Sequence, residues 1–219
     1  PVMTPVCHPA LGSVAAPGQM SIVDLISCRK SMGIIQHGDR NAGKSFFVFG
    51  RPVSMSGSPP LQTAGFRANG FEKYFFGKFD TICADDVLQF CSCHSSGGGS
   101  ITIPLKEEIL ARMDTCVLSD SAKAVGAVNT LYKDSNGALK GTNTDWLGFK
   151  GILEQAGKRS GHALVLGAGG TSRAAVHACK ELGYKKVFVW NRSMDRLKKL
   201  AADMPIVEPI TSCDKAADD

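Results

Sequence analysis

Apolar and polar positions along the chain fall into two alternating periods. Short β-branched and aromatic runs bounded by glycine or proline stand at 45–50 (SFFVFG), 72–79 (EKYFFGKF), 162–167 (HALVLG) and 185–190 (KKVFVW), and each predicts a strand. GAVNTLYK (126–133) and GALKG (137–141) predict two more around the turn DSNG, and PIVEPI (205–210) suggests a last one. Longer stretches with apolar positions three and four apart predict helices at 84–91, 104–113, 143–157, 170–183 and 193–204. A helix over 58–70 is marked by Ser58 as cap, two prolines in its first turn and Gly70 as its stop. Pro104 opens the helix at 104–113, and Asn143 or Thr144 caps the one at 143–157. SSGGGS (95–100) reads as a small-residue loop leading to a short strand at 101–103, and SIVDLISCRKSMGII (21–35) as a short helix. Residues 1–20 have neither period, and no internal repeat occurs.

Strands alternating with helices imply an α/β fold: an N-terminal α/β domain with a mainly parallel sheet, then a partial Rossmann-like α/β unit. The chain divides by this reading into 1–21, a helix and linker at 22–44, a first domain at 45–156, and a second α/β unit at 157–219.

Two glycine-rich stretches compete as phosphate loops. GDRNAGKS (38–45) fits G-x-x-x-x-G-K-[ST] letter for letter. A phosphate loop must leave a strand and open a helix, because the helix N-terminus supplies the N–H groups. Ser45 instead opens a β-like run that ends at Pro52, so this stretch reads as linker. GAGGTSRA (167–174) has the right setting. The apolar run ALVL before it predicts a buried strand, and an Ala- and Val-rich helix follows. Gly167 and Gly169 take the first two fingerprint positions, and Ser172 is small enough for the third. At the end of the next strand, where a carboxylate would hold a ribose 2′-OH, stands Asn191-Arg192-Ser193, with Arg196 one helical turn on. Cations in place of an acid favour a 2′-phosphate, hence NADP over NAD.

Polar residues without an obvious structural duty gather at strand ends in the first domain: Ser54, Ser56 and Ser58; Ser100, Thr102 and Lys106; Asn129, Thr130 and Asp145. Hydroxyls and an amide suit a polyhydroxylated carboxylate. A lysine held by an aspartate suits proton exchange with a carbonyl oxygen that receives hydride. The competing bland roles are capping for Ser58 and Thr144 and a solvated helix face for Lys106.

Six segments in order, FGRPVSMSGSP, SITIPLK, GAVNTLY, GTNTDWLG, GAGGTSRAA and NRS, resemble the signatures of shikimate dehydrogenases over about residues 45–203. TIPLK and NTDWLG look most like the dehydrogenase domain of fungal pentafunctional arom polypeptides. Residues 1–21 look like the tail of a type I 3-dehydroquinate dehydratase, with Gln19 a contact of that missing barrel. The resemblance implies NADPH-dependent, reversible reduction of 3-dehydroshikimate to shikimate. Lys106 would be the proton donor and acceptor and Asp145 its partner. Ser56 and Ser58 would bind the carboxylate, and Thr102 and Asn129 ring hydroxyls or Lys106. Gly167, Gly169, Gly170 and Thr171 would take the pyrophosphate, and Asn191, Arg192, Ser193 and Arg196 the 2′-phosphate. Gln62 and Thr63 depart from the family's frequent His-Asn, Met55 from a frequent His, and Ser100 from an Asn. The resemblance also implies a fragment whose nicotinamide half lies beyond residue 219, and hence weak turnover. It leaves two other readings open: a metabolite-sensing domain like that of fungal quinate-pathway repressors, and a quinate dehydrogenase.

Composition narrows little further. Of 219 residues 43% are hydrophobic and 21% charged, which supports a buried core, and the net charge of +5 suits anionic ligands. No Lys/Arg block points to nucleic acid. Eight cysteines without a C-x-x-C pair read as reduced thiols, and CSCH (91–94) has no second half-site for a metal. The expected setting is the cytoplasm (the nucleus for a repressor), with a small-molecule substrate and covalently attached neighbouring domains as partners.

Overall fold

The structure, a computed structural model, describes residues 43–158 and 160–211. The expected helix at 21–35 and most of the linker lie outside them. Packing divides the described residues into two units: 43–117 with Thr130–Gly141, and Leu118–Asn129 with the described residues from Thr142 to 211.

The first unit is built on a five-stranded sheet of order β2-β1-β3-β4-β5, with β1 at Ser45–Gly50, β2 at Phe75–Asp80, β3 at Ser96–Ile101, β4 at Thr130–Lys133 and β5 at Leu139–Thr142. β1 runs parallel to β2 and β3, and β4 is antiparallel to β3. The two-residue period of SFFVFG sorts its side chains between the faces. Phe46 and Val48 meet Phe66 and Phe76, on the side of helix α1 (Ser58–Ala68). Phe47 and Phe49 meet Phe79 and Phe90, the last from helix α2 (Ala84–Ser92), with ring centroids 5.0–6.0 Å apart. Each of these phenylalanines removes enough surface from water to contribute about 2–3 kcal/mol.

SGGGSI is strand and not loop, which corrects the sequence expectation. It lies between β1 and β4, and its glycines let both neighbours come close. A Cβ on Gly99 would stand 2.0 Å from the Phe47 carbonyl oxygen, and one on Gly98 2.1 Å from that of Leu131. Ser58 is not the cap of α1 either. Gly57 holds that position and Ser58 is the first helical residue, its amide donating to Ser56 Oγ (3.3 Å). Helix α3 spans Leu105–Arg112 behind Pro104, which is its cap and not its first residue.

The second unit contains a six-residue helix the sequence pattern did not suggest, α4 (Asp120–Val125), capped by Ser119 Oγ, which accepts from the Ala122 amide (3.1 Å). Helix α5 (Asp145–Gln155) follows, then the parallel sheet β6-β7-β8, with β6 at His162–Leu166, β7 at Lys186–Trp190 and β8 at Val207–Pro209. Helices α6 (Gly170–Glu181) and α7 (Met194–Asp203) also belong to it. Trp146 and Phe149 of α5 pack on Val125, Ala127 and Ala174 and so join 118–129 to α6. One expectation changes here: among the described residues β6 is not fully buried but lies at the edge of its sheet, with Leu164 44% and Leu166 65% exposed.

Candidate functional site

In the first unit, strand order reverses at β1: the chain moves from β1 to β2 on one side and to β3 on the other. Loops leaving the carboxyl ends of adjacent parallel strands at such a switch point form the usual ligand crevice of an α/β sheet. The two loops here are 51–57 after β1 and 102–104 after β3. They are tied together by backbone bonds, Thr102 N to Phe49 O (2.8 Å) and Arg51 N to Ile103 O (2.8 Å). Gly50, at φ +148°, leaves room for the Thr102 methyl, which a Cβ there would meet at 2.5 Å. Asp80 at the end of β2 fixes the first loop: Arg51 Nε donates to its Oδ1 (2.5 Å) and the Val53 amide to its Oδ2 (3.4 Å).

This anchoring brings Ser56 and Ser58 together, Ser56 Oγ donating to Ser58 Oγ at 3.2 Å. Thr102 and Lys106 stand half-buried on the neighbouring loop and in the first turn of α3. Ser54 is exposed, and its carbonyl accepts from Lys78 Nζ. Met55, where the family often has histidine, is 94% exposed. Ser100 pairs with Thr130 across β3 and β4.

The second unit carries Asn129 and Asp145. Asn129 Nδ2 donates to Asp145 Oδ1 (2.7 Å) and Thr144 Oγ1 (3.0 Å), and its Oδ1 accepts from the Thr144 amide (3.0 Å). Neither Asn143 nor Thr144 is a mere alternative cap. Thr144 occupies the cap position of α5 without a side-chain cap bond. Asn143, 1% exposed, accepts from the Asp145 amide (3.0 Å) and donates to Ala127 O (2.9 Å). The carboxylate of Asp145 is thus fixed at the start of a helix, where its charge is also favoured. An amide in the run TNTDW was the available signal, but nothing local says which atoms it would reach.

The glycine loop in the same unit has the form a pyrophosphate requires. Gly167 turns the chain at φ +113°, its amide donating to Trp190 O (2.8 Å), and a Cβ on it would crowd Ser172 Oγ at 3.0 Å. Gly169 is the cap residue of α6 and makes no side-chain cap bond to the helix amides. A Cβ on Gly169 would meet no atom of the chain within 4 Å. Gly170 and Thr171 form the first turn of α6. Beside them lies a groove of about 380 Å³ lined by Phe149, Ile152, Leu164, Leu166, Thr171 and Ser172 among others. At the end of β7, Asn191 Nδ2 donates to Ser193 O (2.8 Å), while Arg192, Ser193 and Arg196 are exposed.

A doubly wound sheet with a polar switch point, together with a βαβαβ unit that opens on a glycine turn, defines a protein of the two-unit α/β dinucleotide-fold class. The shikimate dehydrogenase substrate binding domain matches residues 48–131, and shikimate / quinate 5-dehydrogenase matches residues 152–217. The chain belongs to the shikimate dehydrogenase family. It is 40% identical over 212 residues to the pentafunctional AROM polypeptide of Candida glabrata, covering 93% of this chain and 13% of that protein. It therefore spans about 13% of the length of such curated relatives. Among solved structures, Aquifex aeolicus shikimate dehydrogenase is 35% identical with a TM-score of 0.71, over 80% of this chain and 65% of that one. Shikimate 5-dehydrogenase from Thermus thermophilus, in complex with NADP(H) and shikimate, is 35% identical with a TM-score of 0.64, over 76% of this chain and 62% of that one.

Proposed function

We propose that this chain carries the substrate-binding and nucleotide-binding surfaces of an NADP-dependent shikimate dehydrogenase, whose reaction is the reversible reduction of 3-dehydroshikimate to shikimate. The observation that carries the reading is the Asn129–Asp145 bond of 2.7 Å, which holds a carboxylate still at the head of α5. Such a carboxylate suits the orientation of a catalytic lysine, and Lys106 is the lysine of the matching motif. Ser56 and Ser58, side by side on one anchored loop, would hold the substrate carboxylate, and Thr102 and Asn129 its ring hydroxyls.

The residues present fit NADP. Gly167, Gly169, Gly170 and Thr171 would face the pyrophosphate, since Gly169 leaves space and the α6 amides carry no side-chain cap. Asn191, Arg192, Ser193 and Arg196 would hold the 2′-phosphate, and solved shikimate dehydrogenase relatives are complexes with NADP(H) or NADP+. NADPH, when bound, supplies hydride to the carbonyl carbon. Lys106 would give its proton to the oxygen as the C–O double bond becomes a hydroxyl, and would take it back in the oxidative direction. Likeness to pentafunctional relatives supports neighbouring catalytic domains as covalent partners. We place the protein in the cytoplasm, where buried thiols such as those of Cys91 and Cys179 stay reduced.

The test mixes the purified full-length parent protein with shikimate and NADP+ and follows NADPH absorbance, with calorimetric titration of both ligands alongside. Hydride transfer supports the reading, and Lys106→Met should lower it by roughly 10²–10⁴ without moving NADP+ affinity. Binding of shikimate without transfer would favour a metabolite sensor, and binding of neither would end the proposal.

A further inference from the structure

Arg173 stands two residues beyond Thr171 in the first turns of α6, in a helix whose other inward residues are Ala, Val, Cys and His. It is 6% exposed, which is costly for a guanidinium unless its N–H groups are satisfied. Nε donates to Val125 O (2.8 Å), and Nη2 to Asp203 Oδ2 (2.8 Å) in the last turn of α7.

The acceptor at Val125 matters most. It is the last residue of α4, so its carbonyl has no partner inside the helix. The amides of Gly126 and Ala127 both return to Ala122 O, which leaves Val125 O for the arginine. Gly126 sits at φ +73° directly against the guanidinium, where a Cβ would be 2.4 Å from Nη2 and 2.8 Å from Nε. From there the chain is held at every second residue. Ala127 O accepts from Asn143 Nδ2 (2.9 Å), and the Asn129 amide donates to Thr142 O (3.1 Å). Asn129 then grips Thr144 and Asp145. Val125, Ala127 and Ala174 pack as one cluster with Trp146 and Phe149, so these bonds lie along a continuous apolar seam.

We infer that Arg173 is a positioning residue: its bond to the end of α4 ties the helix of the glycine loop to the segment 125–129 and so sets the Asn129–Asp145 pair. The inference rests on the dehydrogenase reading for what that pair does chemically, and on the geometry alone for what holds it. A pair released from this strut loses the sub-ångström placement that proton exchange needs, while the glycine loop itself is untouched.

Arg173→Met, Arg173→Lys and Asp203→Asn in the full chain test it by amide hydrogen exchange and steady-state kinetics. In Arg173→Met the amides of 126–129 and 144–145 should exchange at least about tenfold faster, with β1–β3 unchanged. kcat should fall by about tenfold or more while KM for NADP+ stays within about twofold. Lysine, with one compact ammonium in place of the fork, should recover part of both, and Asp203→Asn, which spares the Val125 bond, should stay near wild type. Unchanged exchange at 126–129 in Arg173→Met would overturn the inference, as would Asp203→Asn matching it. Should Arg173→Met fail to fold, an Arg173→Lys variant identical to wild type at 126–129 overturns it equally. If the full-length parent protein shows no turnover, the dehydrogenase reading fails on its own, and the exchange data still decide what Arg173 does.

Discussion

Two glycine-rich stretches, Gly97–Gly99 and Gly167–Gly170, look alike on paper and serve opposite ends. In β3 the glycines make room for the protein. Cβ atoms on Gly97, Gly98 and Gly99 would lie 2.0–2.1 Å from Phe46, Leu131 and Phe47 atoms. In the loop before α6 the room is left for something else, since a Cβ on Gly169 meets nothing of the chain within 4 Å. A missing side chain lets the backbone pack closely in the first unit and leaves open space in the second. The sequence sets the second apart by the strand before it and the helix after it, and shows the first only as a run of small residues.

The dryness of the first setting has a pH signature, and this is the largest effect expected. Cys91 on α2 is fully buried, and burial pushes its thiol up from 9.0 to about 12, against a hydrogen bond from Ser96 at the start of β3 and the charge of Lys133. The folded state therefore keeps a proton that the unfolded chain gives up. Its contribution is intact below pH 9, and stability falls as pH rises from about 9 to about 12, by up to about 4 kcal/mol. Denaturant midpoints across that window should drop in the wild type and drop less in Cys91→Ala. Parallel slopes would mean the neighbourhood of β3 is wetter than described.

Next in size is the glycine itself. Gly99→Ala puts a methyl 2.0 Å from the Phe47 oxygen and 2.8 Å from the Phe49 ring, and backbone must move to admit it. A loss of about 3 kcal/mol in urea unfolding is expected. A loss under about 1 kcal/mol would erase the distinction between the two stretches.

What was legible in the sequence follows the same divide between local and distant causes. β1, β2, β6 and β7 were readable because apolar β-formers declare themselves over five or six residues. β3 was not, because glycine disfavours strands and only the approach of β1 and β4 makes one here. α4 was missed because six residues are too few for a helical period, although Ser119 and Gly126 bracket it as cap and left-handed stop. The glycine turn and its following helix were legible in full, being one contiguous βα step. The packing of 118–129 with the second unit, while 130–141 stays with the first, depends on distant contacts that no local pattern states. Of the candidate residues, Ser56 and Ser58 were readable as a pair. Their anchor, Asp80, acts from the end of another strand, and so do the bonds that bind Asn129 to Asp145.

The same substitution in the second stretch should move binding and spare the fold. Gly169→Ala adds a methyl to open space, so unfolding should shift by no more than about 1 kcal/mol, the scale of a changed helix cap. NADP+ affinity should weaken by about tenfold in calorimetry, because the methyl takes the place a pyrophosphate oxygen would need. Unchanged affinity with unchanged stability would leave Gly169 a simple turn residue and move the phosphate site elsewhere.

The smallest effect separates the loop from the strand end that follows it. The loop would hold the pyrophosphate common to both dinucleotides, whereas Arg192 and Arg196 would meet only the 2′-phosphate. Both arginines are exposed, so each ion pair would be screened and worth no more than about 1 kcal/mol, roughly a fivefold change. Arg192→Gln should therefore weaken NADP+ by about fivefold and leave NAD+ where it was, and raised salt should shrink the difference. Gly169→Ala, in contrast, should weaken both dinucleotides alike. If Arg192→Gln lowers the two affinities equally, the arginine is serving the loop and not the 2′-position, and the preference for NADP must come from another cation.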